Sequence, residues 1–357
     1  MDKTIQVVFV YWLINIGLLF FVYPEKIISS TDSGHWIPIS IEIIIHLFAL
    51  GLFLKGLSLS QNTDIITIYM SLGRKVSLIF SLPLTIYLMD ALVLTSRAYA
   101  EITTIVFLAN TPIWSITALL LSIPTYLAIK GIHTIFRTGM LIAIFFLPVS
   151  LIMMFVSFQN ADIYQMFPIS NSFEFIRSTS FYSSFFSIIV GFLFLGFIQP
   201  YVKFKEKKMF FSALFLIPIF FLSVYVPILA LGQETSKRLL FPFVVQLDSI
   251  EISWFFFDRV TMFFMLFLYT YILLFFALLL WSIARICNQY FSKIRIPTFV
   301  IGISISAFGI ALLIPGWDWI NKLLWWGTPL RIYNIVIVPL SIFLLGKRRK
   351  RLHHEHI

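Results

Sequence analysis

Ten stretches of the chain are each apolar over about the 20 residues an α-helix needs to cross a bilayer core. They cover approximately 4–24, 36–54, 76–107, 113–130, 138–158, 180–200, 208–232, 254–284, 297–315 and 329–346. In lipid, a backbone must satisfy its own hydrogen bonds, and segments of this length do so as helices. The expected fold class is therefore all-α integral membrane, with about ten transmembrane helices. Composition agrees: 60% of residues are apolar and 12% charged, against roughly 45–50% and 25% in soluble domains. The sixth and seventh stretches are separated only by "YVKFKEKK", whose lysines end one helix and start the next. The first, "MDKTIQVVFVYWLINIGLLFFVYP", has no small-residue cleavage site and reads as a membrane helix, not a removed signal. Cys287 is the only cysteine, which excludes an internal disulfide and a cysteine-built metal site.

Lys and Arg set the expected orientation. With a cytoplasmic N-terminus, 18 of the 26 fall on the cytoplasmic side, including the tail "KRRKRLHHEHI" over 347–357. Six fall on outer loops or helix ends: Lys26, Arg177, Lys237, Arg238, Lys322 and Arg331. The positive-inside rule then puts both termini in the cytoplasm, and the basic tail faces lipid headgroups. Trp36, Trp114, Trp254, Trp317, Trp319, Trp325 and Trp326 all fall at the outer helix ends, as an interfacial belt would.

Two spans carry irregular centres. Helix 1 holds Asn15, Ile16 and Gly17 near its middle. Helix 6 holds Gly191 and Gly196, preceded by Ser183, Ser184 and Ser187. Glycine at membrane depth commonly just lets helices pack closely. Asn beside Gly is more pointed, because transporters break helices there and use the freed backbone groups to grip a ligand. An offset of five spans implies two inverted five-helix repeats with broken helices 1 and 6, over about 1–158 and 180–346. The third spans of the halves then correspond, and both carry charge: Asp90, Arg97 and Glu101 in one, Asp258 and Arg259 in the other.

Asp90, Arg97 and Glu101 fall at roughly 0°, −20° and +20° around their helix, a stripe too costly to face lipid. Arg97 and Glu101 are either a staple to a neighbouring helix or part of a ligand-lined or wet cavity. Arg before Glu is the less favoured order for an i,i+4 pair, so local helix support does not explain it. Glu42 and His46, also four apart, form a pair that relays protons in some proteins. The reading preferred here is plainer: Glu42 near the outer interface and His46 bonded to a neighbouring helix. The sequence holds no phosphate-binding loop, dinucleotide fingerprint, H-E-x-x-H or G-x-S-x-G motif. No enzyme, cofactor, metal or nucleic-acid partner is expected, and no cytoplasmic loop is long enough for a nucleotide-driven pump domain.

Motifs in order along the chain resemble the B-subunit family of GerA-type spore germinant receptors, itself similar to the amino acid–polyamine–organocation transporter superfamily. Gln6, Gly17 and Pro24 occur in the family's order in helix 1, followed by "TDSGHW" before helix 2. "SRAYAEITTIVFLANTP" carries Arg97, Glu101, Thr111 and Pro112, and "KGIHTIFRTG" carries Gly131 and Arg137. "QMFPI" with Pro168 and "LLFPFVVQLDSIEISWFFFDRVTMFF" with Asp258–Arg259 complete the series. The resemblance implies a receptor subunit in the spore inner membrane that recognises a small nutrient (amino acid, nucleoside or sugar) and triggers germination. It would work with a membrane-bound A subunit and a lipoprotein C subunit. The ligand would sit between the breaks of helices 1 and 6, flanked by helices 3 and 8. The expected ligand-binding residues are Asn15, Ile16, Gly17, Arg97, Glu101, Ser187 and Gly191. A secondary transporter of amino acids or polyamines is the alternative, and a ligand-free scaffold the third.

Overall fold

A computed structural model describes residues 3–60, 63–169, 171–250 and 260–355, with side chains up to 351. Regular structure among them is entirely helical. The first span is α1 (Thr4–Leu19) and, after a three-residue break, α2 (Tyr23–Ile28). The second is α3 (Trp36–Leu59). A short α4 (Ile65–Met70) leads to the third, α5 (Arg74–Val106), whose 33 residues reach about 50 Å. Then come α6 (Ile113–Lys130) and α7 (Ile132–Val156). They share one turn at Gly131, whose φ of 91° is a conformation only glycine adopts without strain.

The second half repeats the plan. Its broken first span is α8 (Thr179–Leu193) and α9 (Leu195–Ile198), and its second is α10 (Glu206–Ala213) running into α11 (Leu216–Leu231). Short α12 (Gln233–Arg238) and α13 (Pro242–Asp248) precede α14 (Val260–Tyr290) and α15 (Ile296–Leu312). The chain then bends by 117° into the amphipathic α16 (Trp317–Trp326). The last span is α17 (Thr328–Ile332), one π-helical turn over 333–337, and α18 (Val338–Glu355). Eight described spans are long and apolar enough to cross a bilayer. The bent pair α15 and α16 would make nine, against the expected ten, and the shorter apolar α1 (16 residues) is the remaining candidate. Trp254, Asp258 and Arg259 lie outside the described residues.

Glycine lets α3 and α18 pack backbone against backbone. A Cβ on Gly56 of α3 would stand 2.7 Å from the Phe343 nitrogen and 2.8 Å from the Ile342 carbonyl carbon of α18. A Cβ on Gly346 would stand 2.6 Å from the Gly56 oxygen. The two backbones touch, as small residues permit in membranes. Gly56→Leu is expected to pry span 10 from span 2 and cost on the order of 3 kcal/mol, read as a lower unfolding temperature of the purified protein.

Candidate ligand site at the two helix breaks

The break in span 1 lies at Phe20–Val22, not at Asn15–Gly17. Asn15, Ile16 and Gly17 stay inside continuous, buried helix. Pro24 sets the position, because it has no N–H to offer the carbonyl four residues earlier, and Pro at the start of α2 costs nothing. Glycine alone does not break a helix whose surroundings offer the backbone no other partner. Near the break, the Gly17 carbonyl accepts from the Tyr99 hydroxyl of α5 at 2.7 Å. In span 6 the break falls at Phe194, between Gly191 and Gly196.

The two broken spans touch at Gly191. A Cβ there would lie 2.4 Å from Asn15 Oδ1. Asn15 Nδ2 donates to the Tyr11 carbonyl at 2.8 Å and to the Gly191 carbonyl at 3.4 Å, while Oδ1 has no partner among the described residues. Gly17 lies on the other side of α1, where its missing side chain admits Tyr271 and Ile272 of α14. His46 of α3 ties the same region together. Its Nδ1 lies 2.8 Å from the Ile188 carbonyl of α8 and its Nε2 2.7 Å from the Tyr11 hydroxyl. A carbonyl only accepts, so Nδ1 carries the hydrogen and Tyr11 donates to Nε2.

Beside these contacts is a cavity of about 10 Å³, lined by Phe21 and Val22 from the first break, Thr95 and Ala98 of α5, Phe186 and Ser187 of α8, and Ile320 and Leu324 of α16. That is the room of about one water molecule. Thr95 Oγ1 has no partner among the described residues. Spans 1, 3 and 6 thus meet as expected. The cavity's remaining wall is α16, which takes the place expected for span 8.

The cavity is shut toward both faces. On the face away from the termini, α16 is a lid. Arg97 donates from Nε to the Ile314 carbonyl at 3.0 Å and from Nη2 to the Pro315 carbonyl at 3.3 Å, which holds the corner where α15 turns into α16. Its Nη1 is paired with Glu101. All three guanidinium nitrogens are used, and neither Arg97 nor Glu101 lines the cavity, so the pair is a brace for the lid. Lys26 donates to Asn321 Oδ1 at 2.9 Å and pairs with Glu25 at 2.7 Å. Trp317 packs edge-on against Phe241 (centroids 4.7 Å apart) and Phe21 (6.1 Å), buried in the lid and not in the interfacial belt. On the termini's face, the Lys3 nitrogen donates to the Lys203 carbonyl at 3.1 Å, and the Lys205 nitrogen to Thr4 Oγ1 at 2.9 Å. Asp64, which caps α4, takes Arg285 of α14 at 3.2 Å, and that guanidinium lies over the Tyr201 ring just past α9.

The three-charge stripe divides. Asp90 faces Arg331 of α17, whose guanidinium is fully buried over the Phe186 ring. Gly327 fits between them: a Cβ there would meet Arg331 Nη2 at 3.0 Å and Asp90 Oδ2 at 3.3 Å. Lys26 and Arg331, expected at outer loops or helix ends, are thus both interior. Glu42 is likewise fully buried, bonded to Ser184 of α8, and not at an interface. The signal that could have found Arg331 was Asp90 itself, a carboxylate at membrane depth that needs a cation.

Breaking one lash should loosen the lid. Asn321→Ala removes the Lys26 contact and leaves Lys26 paired with Glu25. A hydrogen bond worth about 1 kcal/mol sets the scale. Labelling of a cysteine at position 187 by a membrane-impermeant maleimide, with Cys287→Ser as background, is expected to rise about fivefold.

A family model described as spore germination protein, a spore permease family, matches residues 3–315. No curated protein sequence matches the chain. Among solved structures, the crystal structure of MhsT in complex with L-phenylalanine superposes with a TM-score of 0.60 at 12% identity, covering 97% of this chain and 99% of that one. That likeness is one of fold: a multi-pass, transporter-type helical fold whose halves each open on a broken span. By the match over nearly its whole length, this chain belongs to the spore germination permease family.

Proposed function

We propose that the chain is the nutrient-recognising membrane subunit of a spore germinant receptor. The observation that carries the reading is the cavity at which the breaks of spans 1 and 6 meet α5 under a lashed lid. In the shut state it holds no more than a water. Binding therefore requires α16 to lift and spans 1 and 6 to part, which ties recognition to a rearrangement a partner can sense. The ligand is a small polar nutrient (an amino acid, nucleoside or sugar). It is gripped by the Phe20 carbonyl, which Pro24 cannot bond, by Thr95 and by Ser187, with Asn15, Ile16, Gly17 and Gly191 setting the spacing of the two spans. Arg97 and Glu101 act on the ligand through the lid.

The A and C subunits are the partners that read the change. The excess of Lys and Arg on the termini's face supports cytoplasmic termini, in the spore inner membrane. Spores carrying Ala98→Val, whose two added methyls take up the room of the one water, should contain the protein at normal abundance and lose the response to its nutrient. A normal response would overturn the reading. The fold shared with MhsT favours a second reading, in which the chain moves the solute across the membrane. Gradient-driven uptake into vesicles by the purified chain alone would decide for that one.

A further inference from the structure

Glu42 is the feature that neither the lid nor the cavity uses. It sits about 9 Å into α3 from Trp36 by helical rise, with none of its surface exposed. From α8, Ser184 Oγ contacts Oε1. From α2, the neutral Tyr23 hydroxyl faces the carboxyl. One turn along α3, His46 is fully engaged with Tyr11 of α1 and the Ile188 carbonyl. From α11, the His46 ring meets Phe220, which has no charge, and Tyr225 lies nearer Trp36. The neighbouring cations face other groups: Lys26 of α2 pairs with Glu25 and donates to Asn321, and Arg331 of α17 lies over the Phe186 ring, donates to the Tyr182 carbonyl and faces Asp90. Among the described residues, no Lys or Arg pairs with Glu42.

A count of hydrogens decides its state. Ser184 Oγ contacts two acceptors, Glu42 Oε1 and the Phe181 carbonyl, with one hydrogen to give. The carbonyl cannot donate, so the serine hydrogen belongs there. The contact with Oε1 is then a hydrogen bond only if Glu42 supplies the proton. The opposite assignment leaves a fully buried carboxylate beside only the neutral Ser184 and Tyr23 hydroxyls, with no counter-charge, which costs far more than protonation.

We propose that Glu42 is a proton-binding site: it holds a proton while the molecule is shut and gives it up when the site opens. In the shut state the Oε1–H bond staples α3 to α8 at Ser184, one turn from Ser187 in the cavity wall. When α8 moves, Ser184 leaves and water reaches the carboxyl. The O–H bond breaks, the electron pair stays on Glu42 as a hydrated carboxylate, and the proton passes through that water to the solvent. Opening then becomes easier as pH rises, by up to about tenfold per pH unit for one released proton. The coupling to opening rests on the ligand site proposed above, whereas the bound proton does not.

Two measurements on the full chain in lipid nanodiscs, neither needing a nutrient, test the two parts. Infrared spectra at neutral pH should show the carbonyl stretch of a protonated carboxylic acid that disappears in Glu42→Gln. In Ser184→Ala the band should shift but remain. A spectrum unchanged by Glu42→Gln would overturn the proton site. Impermeant-maleimide labelling of a cysteine at position 187, with Cys287→Ser and corrected for thiolate fraction with a free thiol, should rise with pH in the parent. It should stay flat in Glu42→Gln, an isostere of the protonated acid. Equal pH dependence in both, or none in the parent, would overturn the coupling and leave the ligand site standing.

Discussion

Gly191→Leu is expected to be the most damaging single substitution at the site, costing about 3 kcal/mol or more. Even a Cβ at this position would overlap Asn15 Oδ1 at 2.4 Å. Asn15 cannot retreat without giving up its bonds to the Tyr11 and Gly191 carbonyls. Overpacking of a tight contact costs about 1–3 kcal/mol, and each stranded buried polar group adds about 1–3. The smaller Gly191→Ala gives the cleaner test, because the clash is with one identified side chain. Gly191→Ala should lower the unfolding temperature of the purified protein, and adding Asn15→Ala should restore most of the loss by removing the obstructing amide. Failure of the second change to rescue the first would mean that the two broken spans do not meet at these residues.

Arg97→Leu should come next. It leaves the Ile314 and Pro315 carbonyls without their donor and strips Glu101 of its counter-charge. Removing one member of a buried pair typically costs about 3–5 kcal/mol. Glu101 keeps 17% of its side-chain surface, so the lower end is expected. Arg97→Leu with Glu101→Leu should recover the part due to the stranded carboxylate, though not the lid contacts. Thermal unfolding of the three variants would show the double variant more stable than Arg97→Leu alone. Impermeant labelling at position 187 would remain high in both, because the corner above α16 is free in each.

These expectations show where sequence was informative. Apolar length located the spans, since lipid leaves a helix as the one way to satisfy backbone groups over such blocks. The interruption of span 1 was also visible, but its position was misjudged. Asn15–Gly17 looked irregular by side chain, whereas Pro24 controls the backbone through its missing N–H. The lid was hidden because "WDWINKLLWW" reads equally well as an interfacial belt. Only the 117° bend and the contacts of Trp317 turn it inward. Arg97 and Glu101 were legible as an inward-facing pair, but the partners of Arg97 are backbone carbonyls more than 200 residues away, which side-chain patterns do not reveal. Lys26 and Arg331 seemed to belong to the surface because they stand near span ends. Both are interior, since Glu25 and Asn321 engage one and Asp90 and the Phe186 ring accommodate the other. Glu42 was misplaced for a similar reason: six residues from Trp36 resembles an interface until Ser184 and Tyr23 close over it.

The central claim is that a small nutrient occupies the space between spans 1, 3 and 6 beneath α16. The most direct test is thermal unfolding of the purified full-length protein against a panel of L-amino acids, nucleosides and sugars. Ala98→Val, which fills the one-water cavity and keeps the lid, is measured beside it. A ligand at 100 times its dissociation constant stabilises a protein by about 2.7 kcal/mol. At least one class in the panel is predicted to raise the unfolding temperature of the native chain and leave that of Ala98→Val unchanged. An equal rise in both, or none in either, would contradict the account.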